Sequence, residues 1–241
     1  MWSIKTFEAL GSTQDQLKSL AEDGALEGLV IQALSQTKGR GRHGRKWEEG
    51  AGNLYMSILL RPECELAHIA QLSLTASLAI AIALKKSLNK HELNLIVKWP
   101  NDILINNKKC VGILPESGLT PDNKKIQWLA LGIGVNIKSA PIETSCALSQ
   151  YSGKNISTES VRDDILGELE SDYRLWKSEG FQNIRKKWLS LSYPKGSRMQ
   201  VKQAHGTIEG NFETIDEYAN LILQTKEGER LKISSGELLL V

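Results

Sequence analysis

The chain has 241 residues, 41% of them hydrophobic, enough to bury one large core or one core with a small appendage. Thirty basic residues against twenty-eight acidic leave a net charge of +2, a weaker bias than a dedicated duplex-binding surface carries. Cys64, Cys110 and Cys146 are odd in number and lack CxxC spacing, which argues for reduced intracellular thiols and against a disulfide frame or a zinc site.

No basic segment followed by an apolar stretch marks the N-terminus for secretion. Thr13 and Gln16 form a capping-box pattern, and Leu17, Leu20 and Ala21 give an apolar face, so a first helix is expected from 12–13 to just before Gly24. Residues 29–35 and 53–60 read as strands, the second ended by Arg61-Pro62. The long apolar run 67–84 is interrupted by His68, Gln71, Ser73, Thr75 and Ser77. It predicts a buried helix, no membrane span, and a cytoplasmic protein.

Residues 94–99 read as a strand, with Pro100 favouring an extended Trp99. The runs 103–105 and 110–114 flank Asn106-Asn107-Lys108-Lys109, a hairpin pattern. A further strand is expected at 126–133. Val161, Ile165, Leu169, Tyr173 and Trp176 keep helical spacing over 158–176, and a short helix is expected at 181–189. After Pro194 the chain changes to short β-like runs at 198–203, 206–215, 220–225 and 230–233, which predicts a small SH3-like barrel beyond a boundary near 193–196.

Four segments carry candidate chemistry. The first, between the first two strand runs, is Gly39-Arg40-Gly41-Arg42-His43-Gly44-Arg45-Lys46-Trp47. Glycine permits close backbone approach, and guanidinium forks match carboxylate and phosphate oxygens. By itself the loop reads equally as a lid over an anionic small molecule or as a solvated basic or nucleic-acid-binding arm. The second is Lys98-Trp99-Pro100-Asn101-Asp102 at a strand end, where Asp102 and Asn101 could meet Mg²⁺ or nucleotide and Lys98 a phosphate. The third is Lys109-Cys110-Val111-Gly112, offering one charge beside a bare glycine. The fourth is Gly132-Ile133-Gly134-Val135-Asn136, whose alternating glycines clear one strand face for a flat group.

In this order and at these spacings, the four segments resemble the catalytic domain of biotin protein ligases (biotin–acetyl-CoA-carboxylase ligases). The motifs are strong over 12–136, and the likeness continues more loosely to the C-terminus. The resemblance implies an α+β fold: a mixed, largely antiparallel sheet with flanking helices, like class II synthetases, over 1–193, and a C-terminal SH3-like β-barrel over 194–241. It implies a biotin site of Ser12, Thr13, Gln14, Gln36, Gly39, Arg40, Gly41, Arg42, Tyr55, Lys109, Gly112, Gly132 and Gly134, with Gln14 where the family has Asn. The implied ATP and adenylate site comprises Arg42, Arg45, Trp47, Lys98, Asn101, Asp102, Lys109 and Asn136. Arg42, Lys109 and Asp102 are the implied catalytic residues, Asp102 also the candidate Mg²⁺ ligand.

The implied activity joins biotin to ATP as biotinyl-5′-AMP, then transfers the biotinyl group to a lysine of a biotin carboxyl carrier domain, with no covalent enzyme intermediate. Larger family members carry an N-terminal helix-turn-helix. Only a few residues precede Ser12 here, so ligase activity is expected without sequence-specific DNA binding. Exposed strand edges offer a route to a homodimer. A lipoate or octanoate ligase is the rival enzyme, opposed by Gln36, Gly112, Gly132, Gly134 and the full glycine–arginine loop. A nucleic-acid-binding module is the rival from another class.

Overall fold

The computed structural model describes residues 2–88, 93–152, 155–203 and 206–240. Seven strands form the larger sheet: β1 (Ser3–Leu10), β2 (Leu29–Gln36), β3 (Leu54–Leu60), β4 (Leu95–Lys98), β5 (Asp102–Ile105), β6 (Lys108–Leu119) and β7 (Ile126–Val135). Their order is β1-β2-β3-β7-β6-β5-β4, with β1 parallel to β2 and every other pair antiparallel. The mixed, largely antiparallel sheet is as expected. β1, which the sequence reading missed, adds an exposed edge.

Helix α1 (Thr13–Glu22) covers one face of this sheet, burying Leu17 and Ala21 against Ile31, Leu59 and Trp128. Its N-cap is Ser12, whose hydroxyl accepts from the Asp15 N–H. Its far end is held by Arg61, whose guanidinium donates to the carbonyls of Ala21, Ala25 and Gln127. A cation near the carbonyl end of a helix is favourably placed against its dipole.

The other face carries α2 (Ile69–Leu88), flanked by α3 (Thr158–Glu179) and α4 (Phe181–Ser190). α2 is apolar nearly all round because it is the core helix, buried from Gln71 through Ala81. Its polar residues are satisfied internally: Trp188 donates to the Ser77 hydroxyl at 2.9 Å, and Thr75 to the Gln71 carbonyl at 2.8 Å.

After Tyr193, five antiparallel strands form a second sheet: β8 (Arg198–Gln203), β9 (Gly206–Ile215), β10 (Leu221–Gln224), β11 (Arg230–Ile233) and β12 (Glu237–Leu240). β12 went unrecognised in the sequence. This sheet packs on the first unit through one continuous apolar core, and the Trp99 indole donates to the Ala219 carbonyl at 3.0 Å. The β10–β11–β12 end therefore reaches the region around Trp99 and the glycine–arginine loop.

Candidate functional site

A cavity of about 420 Å³ opens where the N-terminus of α1, the glycine–arginine loop, the middle of β3, β6 and β7, and the start of β12 converge. One end is polar and amide-rich. The Gln36 side-chain oxygen accepts from the backbone N–H and the hydroxyl of Thr13 at 2.8 and 3.0 Å. Thr13 also meets the Ser57 hydroxyl at 2.9 Å. With its oxygen engaged, Gln36 has its NH₂ left to donate to a ligand. Ser57 lines the cavity and escaped the sequence reading because it sits inside the apolar run of β3.

Gln14 is 3% exposed and lies across the sheet, donating its NH₂ to the carbonyls of Leu114 on β6 and Ala130 on β7, at 3.2 and 3.1 Å. That reach uses the methylene that distinguishes Gln from Asn. It also fixes why Gly132 lacks a side chain: a β-carbon there would stand 2.8 Å from the Gln14 oxygen. Gly112 and Gly134 face each other in register on β6 and β7. Their bare patch is covered by the Trp47 ring, so the flat group that these two glycines admit is a side chain of the chain itself.

The charged end is built from Lys98, Asp102, Lys109, Arg42 and Arg45. Lys98 and Asp102 are paired residues across β4–β5. The Lys109 ammonium lies 2.6 Å from the Asp102 carboxylate and 5.4 Å from the Trp47 ring centre. Its backbone is tied to a passing segment, with the Lys109 N–H donating to Thr144 and the Cys146 N–H to Lys109. Arg42 donates to the Asn101 side-chain oxygen at 3.2 Å and to the Gly236 carbonyl at 3.3 Å. Arg45 grips Glu237 of β12 with both guanidinium nitrogens, at 2.8 and 2.5 Å.

Among the described residues no carboxylate forms an ion pair with Arg42 or Lys98. Burial pulls both cations below their ordinary values, partly offset for each by the field of Asp102. Two half-buried cations within one cavity, neither in direct contact with a carboxylate among the described residues, suit an anion. Of the carboxylates lining the cavity, Glu48, Asp102 and Glu237, it is Asp102 that sits between Lys98 and Lys109 and would be the one to meet a divalent cation. Among the described residues there is no cluster of three or more His, Cys, Asp or Glu to cage a metal unaided.

Most residues expected from the sequence meet here. Ser12, Thr13, Gln14, Gln36, Arg40, Gly41, Arg42, Arg45, Trp47, Lys98, Asn101, Asp102, Lys109, Gly112, Gly132, Gly134 and Asn136 all line the cavity. Two do not. Tyr55 is buried in the sheet, its hydroxyl exchanging hydrogen bonds with the Gly50 N–H and carbonyl. Gly39 serves the loop's own closure, since a β-carbon there would stand 2.9 Å from the Trp47 carbonyl oxygen. Arg40 lines the rim, but its guanidinium is held by Asp15 at 2.6 Å and Glu116 at 2.8 Å. Glu237 and Gly236 are functional neighbours that no local sequence signal announced.

Comparison with known proteins gives the family. Residues 6–136 match the family described as biotin/lipoate A/B protein ligase, and residues 196–241 match the biotin protein ligase C-terminal domain. The bifunctional ligase/repressor BirA of Bacillus subtilis is 35% identical over 96% of this chain and 72% of its own length. A biotin–[acetyl-CoA-carboxylase] ligase of Paracoccus denitrificans is 32% identical over 83% of this chain and 86% of its own. The biotin protein ligase of Aquifex aeolicus, solved with biotin and ATP, superposes with a TM-score of 0.83 at 29% identity, covering 99% of this chain and 98% of that one. The family match over more than half of the chain and the likeness to these relatives make the conclusion plain: the chain belongs to the biotin/lipoate A/B protein ligase family.

Proposed function

We propose that this chain is a biotin protein ligase that condenses biotin with ATP to biotinyl-5′-AMP and then passes the biotinyl group to a lysine of a carrier domain. The observation that carries the reading is the pair of cations without a direct carboxylate partner among the described residues, Arg42 and Lys98, at the far end of a slot whose other end is lined by hydroxyls and amides. Biotin offers a neutral polar bicycle at one end and a carboxylate at the other, and the cavity has that polarity. Its relatives bear the name biotin–[acetyl-CoA-carboxylase] ligase, which supports a carboxylase carrier domain as acceptor.

In the first step the carboxylate of biotin attacks the α-phosphorus of ATP and pyrophosphate leaves. Both reactants are anions, so the main task is to hold them together and to stabilise charge in the transition state. Arg42 and Lys98 supply positive charge in a site where burial strengthens it, and Lys109 bridges the carboxylate to the phosphate. Mg²⁺ arriving with the nucleotide would be held by Asp102 and would neutralise phosphate charge. Trp47, resting on Gly112 and Gly134, shields the mixed anhydride from water. In the second step the acceptor amine attacks the carbonyl carbon, the carbon–oxygen bond to AMP breaks, and the proton lost from the nitrogen passes to Asp102, the carboxylate paired with Lys109 in the cavity.

The test is transfer of labelled biotin to a carrier-domain lysine, with pyrophosphate release followed in parallel and lipoate run as the alternative acid. By analogy with single oxyanion donors, Arg42→Ala and Lys109→Ala should each cost about 3 kcal/mol, or about 10²-fold in rate. Purified protein that never liberates pyrophosphate from biotin and ATP would overturn the reading.

A further inference from the structure

The first arginine of the loop does not point its charge at the cavity. The Arg40 guanidinium bridges two elements: Asp15 in the first turn of α1 at 2.6 Å, and Glu116 on β6 at 2.8 Å, with a second contact to Glu116 at 3.3 Å. Glu116 is also held by Lys18 of α1 at 3.2 Å. The same two elements are joined beneath by Gln14, which donates to the Leu114 carbonyl of β6 and also to the Ala130 carbonyl of β7. Arg40 is thus fastened to both walls of the acid slot by carboxylates that have no place in the adenylation chemistry.

We infer that Asp15 and Glu116 are positioning residues that clamp the glycine–arginine loop through Arg40, and so set how long the biotinyl adenylate stays bound before an acceptor lysine arrives. The inference rests on the ligase reading above. Neither carboxylate touches the reacting atoms; each acts through Arg40 on the residues that follow it, Gly41 and Arg42, which line the cavity. The contacts are partly solvated, with Arg40, Asp15 and Glu116 side chains 37%, 59% and 24% exposed. Such pairs are modest in strength and screened by salt, which suits a clamp that must open every turnover.

The experiment compares wild type with Asp15→Asn, Glu116→Gln and the double variant. Adenylate formation is followed by pyrophosphate release, and escape of the intermediate by labelling of lysines on a bystander protein. The double variant should form adenylate within about twofold of wild type but release it about five- to tenfold faster, the size expected for two partly exposed charge contacts. Asp15→Glu, which keeps the charge, should retain the intermediate. Rising salt should speed escape in wild type more steeply than in the double variant, a readout that does not require any variant to match wild-type stability. Equal escape rates in wild type and double variant, or equal salt dependence, would overturn the clamp while leaving the ligase reading intact. Absence of pyrophosphate release from wild type would instead overturn that reading.

Discussion

The Trp47 ring occupies the space that a β-carbon on Gly134 would need, with the nearest ring atom 2.6 Å from that position. The same ring blocks a β-carbon on Gly112 at 2.5 Å. Trp47 therefore has one seat, across two strands, and the glycines define it. Gly134→Ala should unseat the ring and lower kcat/KM for biotin by about ten- to hundredfold, the equivalent of roughly 1–3 kcal/mol of overpacking. Adding Trp47→Ala should make the methyl harmless, so that the double variant is no worse than Trp47→Ala alone. A further loss in the double variant would disprove the seat.

Gln14 and Gly132 form a second matched pair. Gly132→Ala places a methyl 2.8 Å from the Gln14 oxygen, on an amide already fixed by two carbonyls. Shortening the side chain with Gln14→Asn should partly rescue the KM for biotin in a Gly132→Ala background, although Gln14→Asn alone weakens binding by leaving Leu114 and Ala130 without their donor. The double-mutant cycle should show coupling of about 0.5–3 kcal/mol, as residues in contact do. Simple additivity would separate the two positions.

Glu237 ties β12 to the loop through Arg45, which its hydrogen bonds hold above the ordinary arginine value. The pair is partly solvated, with the Arg45 side chain 64% and the Glu237 side chain 35% exposed. Glu237→Gln should therefore shift the melting temperature by about 2 °C or less. It should lower the KM for ATP, because Arg45 then has only phosphate to grip. Calorimetry and nucleotide titration of the same sample check both halves, and a large drop in melting temperature with unchanged KM would refute them.

Burial works against ionisation of Glu116, but the hydrogen bonds from Arg40 and Lys18 prevail and hold its pKa below the ordinary value of 4.5. A carboxyl lowered on folding contributes stability that is complete above its unfolded pKa and is lost as pH falls through the folded one. The contribution is therefore present at neutral pH and fades in the acid range below 4.5. Denaturant unfolding between about pH 7 and about pH 3 should show a smaller acid-induced loss for Glu116→Gln than for wild type. Parallel curves would remove Glu116 from the account.

The sequence made legible what depends on local patterning: the helix start at Ser12–Thr13, the core helix through 71–81, the β5–β6 hairpin, and the glycine-smoothed strands. The residues that carry charge were legible as a set, but their pairings were not. Arg40 meets Glu116 across 76 positions and Arg45 meets Glu237 across 192, separations that only the folded chain closes. β1 was hidden because its burial pattern is mostly exposed, leaving no clean alternation of apolar and polar residues. Tyr55 lies outside the cavity because its side chain turns to Gly50 while its motif borders the site.

Arg61 grips the rear of the helix whose front end presents Ser12, Thr13 and Gln14. Selection or design aimed at a longer or bulkier acid thus has a lever remote from every group that meets the substrate. A change at Arg61 acts on that front end only through the helix, so the chemistry of the lining itself stays as it is.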